Sequence, residues 1–422
     1  MGQAASHALV AAADLQPPLA MGVSGLETEL GESPQHIKML GSTRFMKTIL
    51  CKQPHEGQLV LHVFMRPVSM TFDVTQQIAT LRGLYSLLGS AKHVLSHVRI
   101  ISDDRAVYIL RQYLHNNLYD RISTRPFLSQ TEKRWVAYQI LVALRETHGR
   151  GVCHGDIKAE NIVVTSWNLA YLADFAPFKP TYLPADDPAE FNFYFDSAGR
   201  QCCCIAPERF YDPGSTIAQL LAAPKGNGGS TSGLLALQPS MDIFSVGCVI
   251  AELFLDGNPL FSLSRLLQYR SKQGDRPVAT MTDSLVSGIA DKEMAALVQH
   301  MVQLDPEARL SAGEYLDRWA GIFPRAPLAA YMDKESPDAR MQALHAEISS
   351  EAVVSDSMCE ITASVACANV RNCVHPSSRC MGIKVLLQCS GGAMMRGDPD
   401  LILPYLIALA VDPSPRVRAE AI

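Results

Sequence analysis

The sequence predicts an α+β chain with a small β-rich lobe, a larger helical lobe and the opening of a helical repeat. Three observations carry that order. The runs IKMLGSTRFMKTIL and GQLVLHVFM are short and β-rich, separated by the polar turn KQPHEG, as in an antiparallel meander. From Ser129 onward helical patterns dominate: SQTEKRWVAYQILVALRETHGRG opens on a Ser129-x-x-Glu132 capping box and stops at Gly149 and Gly151. The last stretch, PDLILPYLIALAVDPSPRVRAEAI, holds an apolar helix, a turn at Asp412 to Pro415 and a second helix opening at Val417-Arg418.

Taken in order, residues 1–35 are Ala-, Gly- and Pro-rich and read as a tail. The small lobe occupies about 36–113. Its apolar residues Ile78, Leu81, Leu84, Leu87 and Leu88 form a helical stripe, and AVYILRQYL reads as a buried strand. The large lobe runs over about 114–323 and carries a Gly/Ser-rich stretch at about 214–239 that looks like an exposed insertion. Residues 324–383 read as a helical linker, and 384–422 as the start of a HEAT repeat array. One such repeat cannot bury its apolar face alone, so the pattern points to a longer solenoid.

Composition narrows the function. The chain has 422 residues and a net charge of −5, so no global positive field exists to hold nucleic acid. Its 11 cysteines are scattered, without paired CxxC units, which points to reduced thiols in a cytosolic setting. Adjacent residues of an extended chain point to opposite faces, which argues against a metal site at Cys202-Cys203-Cys204. No apolar run reaches the length of a membrane span. The opening MGQAAS fits the N-myristoylation pattern, with Gly2 as acceptor and Ser6 at the favoured position. The first Lys is Lys38 and no Arg precedes it, so a single acyl chain has no polybasic helper, and membrane residence calls for a second contact.

The chemistry is concentrated in CHGDIKAENIVV. His154, Asp156, Lys158 and Asn161 stand at H-x-D-x-K-x-x-N spacing. A phosphoryl-transfer site needs this set: Asp156 to meet the acceptor hydroxyl, Lys158 to neutralise the transferred group, and Asn161 to hold a metal bridging the phosphates. Asp174-Phe175-Ala176 follows in the place of D-F-G and gives a second metal ligand, Asp174. Ala206-Pro207-Glu208 supplies A-P-E, and Asp242-x-x-Ser245-x-Gly247 looks like the buried helix of a kinase large lobe. Arg309 is the expected ion-pair partner of Glu208. Five elements in the right order predict a bilobal protein-kinase-like domain, followed by the start of an α-solenoid of HEAT repeats.

The nucleotide-facing half decays. The Gly-rich loop keeps one Gly of three, in Gly41-Ser42-Thr43-Arg44-Phe45-Met46, so side chains crowd the place where backbone amides approach phosphate. The strand-three V-A-I-K element falls on the run from Val60 to Val63, with His62 in the place of Lys. A neutral imidazole substitutes poorly for a fixed positive charge. The partner Glu of the next helix is replaced by Gln77 or Gln76. Lys47 or Lys38, on the flanking strands, is the fallback cation. The nucleotide base would be read by hinge backbone from Gln112 to Leu114, which leaves ATP and GTP both open. Gly155 removes the Arg that answers activation-loop phosphorylation.

Together these stretches resemble the Vps-fifteen family, the protein-kinase-like regulatory subunit of the class III phosphatidylinositol 3-kinase complex. LGSTRFMK, NLYDRISTRPFL, EKRWVAYQIL, HGDIKAENIVVTSWN, ADFAPFKPTYLP, FNFYFD, IAPERF and MDIFSVGCVIAELF carry the resemblance. NLYDRISTRPFL and VTSWN are specific to the family and not general kinase motifs. The resemblance covers residues 37 to 323 and the HEAT start. It implies a myristoyl group on Gly2, a C-terminal β-propeller outside this chain, and partnership with the lipid-kinase catalytic subunit and a Beclin-type coiled-coil subunit. It also implies a cytoplasmic protein, peripheral on endosomal and autophagic membranes. Besides a binding module unrelated to phosphate, in which Asp174 and Asn161 would be relics, two readings stay open. The first is a regulatory scaffold whose degenerate Ser/Thr-kinase-like domain holds Mg²⁺ with ATP or GTP. The alternative is an active Ser/Thr kinase using Asp156 and Lys158.

Overall fold

The computed structural model describes residues 34–43, 46–65, 74–95, 97–102, 106–165, 168–196, 199–222, 235–271, 285–324, 331, 334, 336–350, 356–390 and 402–422. Gly2 and the myristoylation pattern lie outside these residues, as do 223–234 of the Gly/Ser-rich stretch and the side chain of Gln77. The chain forms two compact units.

The first unit is built on five antiparallel strands: β1 (Gln35–Ser42), β2 (Met46–Gln53), β3 (Gly57–Met65), β4 (His97–Ser102) and β5 (Ala106–Gln112). They run in the order β1-β2-β3-β5-β4. One sheet face buries Ile49, Leu59, Leu61, Val63 and Leu110 in a common core. These residues alternate along their strands, because side chains repeat every second position on a pleat. Gly57, at φ 77°, turns β2 into β3 in the left-handed region that glycine enters without penalty. Strand β4 was not foreseen. Its sequence HVRIIS interleaves polar residues among the apolar ones, and β5 supplies the pairing that makes it a strand.

The second unit is mainly helical. Between the units' segments runs α1 (Val74–Leu88), whose residues 83–88 belong to the second. A small ladder joins β6 (Asn116–Asn117) to β7 (Ile162–Val164) and β8 (Ala170–Leu172). Asn117 caps α2 (Leu118–Ser123) by accepting from the Asp120 amide. The long helix α3 (Gln130–His148) opens on the full Ser129/Glu132 capping box that its sequence announces. Further on come α4 (Pro188–Tyr194), α5 (Thr216–Ala222) and α6 (Pro239–Phe254). Residues 241–254 of α6 are all buried, so it is the unit's central post. None of α5 is buried. Then follow α7 (Leu263–Ser271), α8 (Lys292–Met301) and α9 (Ala312–Arg318).

Past residue 336, among the described residues, helices α10 (Pro337–Ser350), α11 (Asp356–Val370), α12 (Pro376–Ser390), α13 (Leu403–Ala410) and α14 (Pro415–Ala421) stack as a solenoid start. Their core is shared with the lobe before them: Trp135 of α3 and Leu169 are buried in the same cluster as Met341, Leu344, Ile361, Val365 and Leu386. A polar seam seals it. Asn168, at φ 53° and 4% exposed, accepts from Arg121 Nε (3.2 Å) and donates to Glu132 (2.7 Å) and Ser364 (3.3 Å). Ser129 donates its hydroxyl to Glu360 of α11. The stretches NLYDRISTRPFL and VTSWN therefore supply Arg121 and Asn168 to this seam.

Candidate functional site

The catalytic-loop residues converge because α6 holds the loop's backbone. The Asp242 carboxylate, 1% exposed, accepts from the amides of His154 (2.7 Å) and Gly155 (3.0 Å) and from His148 Nε2 (3.1 Å). Burial pushes its pKa upward, but His148, by its bond and its charge, with His154 and the Gly155 amide, outweighs that and holds it below the ordinary carboxylate range. His148, Cys153 and Asp242 lie close enough to suggest a cation site. Both Asp242 oxygens are already engaged, so this group is a staple for the loop. Gly155 sits at φ 80°, and a Cβ there would come within 2.7 Å of Leu237 Cδ1. At this positive φ a side chain at the position expected to carry Arg would be strained.

Next to it, Asp156 is 6% exposed. Its Oδ2 accepts from Asn161 Nδ2 at 3.0 Å, and the same amide nitrogen donates to the Asp156 carbonyl at 2.8 Å. Lys158 Nζ stands 3.7 Å from Oδ2. A residue that sequence reasoning missed completes the cluster: Lys179 Nζ lies 2.6 Å from the same oxygen. Burial raises the Asp156 pKa, but the two ammonium groups overcome it and keep the carboxyl below its ordinary value. His154 Nε2 donates to the Ala173 carbonyl (2.8 Å), and the ring packs on Phe175 with centroids 4.3 Å apart. Phe175 in turn meets Tyr85 of α1 edge-on at 5.9 Å. Burial lowers the His154 pKa, so the imidazole is neutral and serves packing.

Asp174 is half-buried at φ 62°, a left-handed conformation that turns the chain between β8 and buried Phe175. Asn161 spends its NH₂ on Asp156, which leaves the amide oxygen as a ligand. With the Asp174 carboxylate it gives hard oxygen donors of the kind Mg²⁺ takes, so these residues fit that ion. Farther along, Arg309 grips Glu208 with two bonds (2.7 and 3.0 Å), the pairing expected from sequence. The guanidinium also donates to the Ser240 carbonyl at the start of α6. Cys202 and Cys204, two residues apart on an extended stretch, share a face with their sulfurs 3.6 Å apart, while Cys203 is buried.

The first unit holds the nucleotide-side candidates. Gly41 and Ser42 end β1, paired with Thr48 and Lys47. In β3, His62 is 5% exposed and bonds Thr48 Oγ1 through Nδ1 at 3.0 Å. The imidazole is thus a member of the sheet's packing. Thr48 opposes His62, whereas Lys47 opposes Val63. Lys47 therefore stands on the other face of the sheet and cannot take over the position of His62. Lys38, opposite Leu50 and hence in the Val60 row, shares the His62 face and is exposed. Gln112 is exposed at the end of β5, and Leu114 is half-buried at the start of the second unit.

Comparison with known proteins fits both units. The protein kinase domain family matches residues 35–179, and the PIK3R4-like, middle domain family matches residues 362–422. The chain is 45% identical over 290 residues to serine/threonine-protein kinase VPS15 of Arabidopsis thaliana, covering 68% of this chain and 18% of that relative. It is 42% identical over 293 residues to serine/threonine-protein kinase VPS15 of Saccharomyces cerevisiae (69% and 19%). It is 40% identical over 296 residues to serine/threonine-protein kinase vps15 of Schizosaccharomyces pombe (68% and 16%). The chain thus spans less than a fifth of the length of these relatives. With its catalytic loop, its β-sheet unit and the helical segment behind them all matched in order, the chain belongs to the VPS15 family of kinase-like proteins.

Proposed function

We propose that this chain is the kinase-like and solenoid-opening portion of a regulatory subunit of a class III phosphatidylinositol 3-kinase complex, and that its kinase-like domain holds Mg²⁺-nucleotide as a structural element. The observation that supports a holding role over transfer is His62: a buried imidazole bonded to Thr48 stands where a phosphate-anchoring Lys is needed. Positioning and electrostatics carry nearly all of phosphoryl-transfer catalysis, so that loss falls on turnover. Asn161 and Asp174 would hold Mg²⁺, which supplies charge neutralisation between the phosphates when bound. Lys158 would face the terminal phosphate, and Gln112 to Leu114 would offer backbone to the base, ATP or GTP.

In this reading a bound nucleotide stabilises the fold by mass action, and the helical unit presents partner surfaces. The partners are the lipid-kinase catalytic subunit and a Beclin-type coiled-coil subunit. A myristoyl group on Gly2 adds a contact with endosomal and autophagic membranes, where the complex makes phosphatidylinositol 3-phosphate. Thermal shift with Mg-ATP and Mg-GTP, on wild type and Asp174→Ala, tests the nucleotide part: wild type should rise in Tm and the variant should not. An unmoved wild type sinks it. Co-purification of tagged chain with the lipid kinase tests the partnership. The alternative, an active Ser/Thr kinase, is favoured by the Asp156–Asn161–Lys158 geometry. It requires radiolabel transfer by wild type that disappears in Asp156→Ala.

A further inference from the structure

Lys179 has no part in the sequence motifs, yet its ammonium is the nearest group to the Asp156 carboxylate, at 2.6 Å from Oδ2. Both side chains are almost wholly buried, 4% and 6% exposed. A lone ammonium at such a place would be costly, so the pair stands or falls together. The backbone delivers the lysine to it. Ala176 to Lys179 form a tight turn, with the Lys179 amide on the Ala176 carbonyl (3.2 Å) and the Ala176 amide on the His154 carbonyl (3.2 Å). Beyond the turn, Arg209 fastens the strand of chain that follows. Its guanidinium, in a residue 2% exposed, donates to the carbonyls of Thr181 (2.7 Å), Pro180 (3.0 Å) and Gly155 (2.7 Å). One buried cation therefore ties the segment carrying Lys179 to the catalytic loop through main-chain oxygens.

Two consequences follow from this geometry. The latch needs no phosphate, since Arg209 grips carbonyls, and Gly155 offers no side chain to answer one. The second concerns the acceptor. In a transferring site the attacking hydroxyl must come within about 2.6–3.2 Å of the carboxylate oxygen that takes its proton, as its own oxygen bonds to phosphorus and the bond to the leaving diphosphate oxygen breaks. At Asp156 Oδ2 that place is filled by Lys179 Nζ, with Asn161 and Lys158 around the same oxygen.

We propose that Lys179, latched by Arg209, is a built-in occupant of the acceptor position, so that the site keeps its nucleotide without passing on a phosphoryl group. The proposal rests on the nucleotide-holding reading above and adds what stops turnover in the second unit, independently of His62.

The test uses the 422-residue chain and four variants: Lys179→Met, which keeps the length of the stem, His62→Lys, the double variant, and the double variant with Asp156→Asn. Nucleotide affinity is measured first with a fluorescent ATP analogue and Mg²⁺. Lys179→Met should change Kd by less than about threefold; absence of binding by wild type defeats the nucleotide reading itself. Transfer from radiolabelled ATP to a mixed Ser/Thr peptide pool should be at least about tenfold faster in the double variant than in His62→Lys, and should be lost on adding Asp156→Asn. Equal rates in His62→Lys and the double variant, silence in both included, overturn the proposal while leaving the nucleotide reading intact. Peptide mass spectrometry after brief acetic anhydride treatment reads the contact without nucleotide. Lys179 should resist acetylation in wild type and react at least about tenfold more in Asp156→Asn. A wild-type Lys179 as reactive as exposed Lys334 and Lys384 would also overturn it.

Discussion

The β3 strand and the catalytic loop carry the same kind of residue, a buried polar side chain in a kinase-like fold, with opposite outcomes. His62 has been absorbed by its sheet, a buried imidazole bonded to Thr48 of the neighbouring strand. Asp156 sits among Lys158, Asn161 and Lys179, and the loop beneath it hangs from Asp242. A buried charge is tolerated only with partners, so the charged cluster cannot drift one residue at a time. A strand position can exchange its cation for a neutral polar group that its sheet satisfies, at small cost to the fold. The difference teaches why a kinase-like chain can lose its upper anchor while its lower cluster persists.

The strongest attempt to break this comparison is Asp242→Ala. It strands two buried amides and His148, and should cost about 3–5 kcal/mol in urea unfolding. A loss below about 1 kcal/mol would show that the loop does not depend on α6. Next, Asn168→Ala removes bonds to Arg121, Glu132 and Ser364 and should cost about 2 kcal/mol, with faster hydrogen exchange in α11. Unchanged exchange there would mean that the seam does not hold the solenoid. His62→Lys sharpens the comparison from the other side. Returning an ammonium to β3 should tighten Mg-nucleotide binding by about tenfold, or about 1.4 kcal/mol, read by titration calorimetry. No tightening would show that the sheet's lost cation was not the limiting contact.

The smallest expected effect is on acid stability. Burial lowers the pKa of His93 and of His154. Unfolding returns them to about 6.5, so the unfolded chain takes up protons first as pH falls. Stability from the neutral imidazoles is fully present above about pH 6.5 and is lost as pH drops from there toward their folded values. Tm should therefore decline between pH 7.5 and 5.5, and less steeply in His93→Gln. A flat Tm over that range would place both rings in solvent.

What could be read in advance was whatever the chain writes locally. H-x-D-x-K-x-x-N, D-F-A and A-P-E have fixed spacings, and the Ser129/Glu132 box closes within one helical turn. What escaped depends on the third dimension. Lys179 lies five positions past Asp174 with no motif around it, and only the Ala176–Lys179 turn aims it at Asp156. Arg209 follows the A-P-E element and gives no sign that it faces back toward Gly155. Lys47 looked like a fallback cation until strand register put it across the sheet from His62, since one residue of register decides a face. The Asn168–Glu132–Ser364 seam joins positions 196 and 232 residues apart in sequence, beyond any periodic signal. The motifs NLYDRISTRPFL and VTSWN pointed at a family without showing why it needs them. One of their residues, Asn168, reaches Ser364 of α11, and another, Arg121, braces Asn168.

Trp135 has a practical corollary for anyone who would cut this protein into pieces. Its indole and Leu169 are interred among side chains from beyond residue 336. A fragment ended near residue 323, where the kinase motifs stop, would present a bare greasy scar to water and invite clumping. The useful scissors point lies after the helical stack, because a border drawn from motifs cuts through a hydrophobic interior that both sides built.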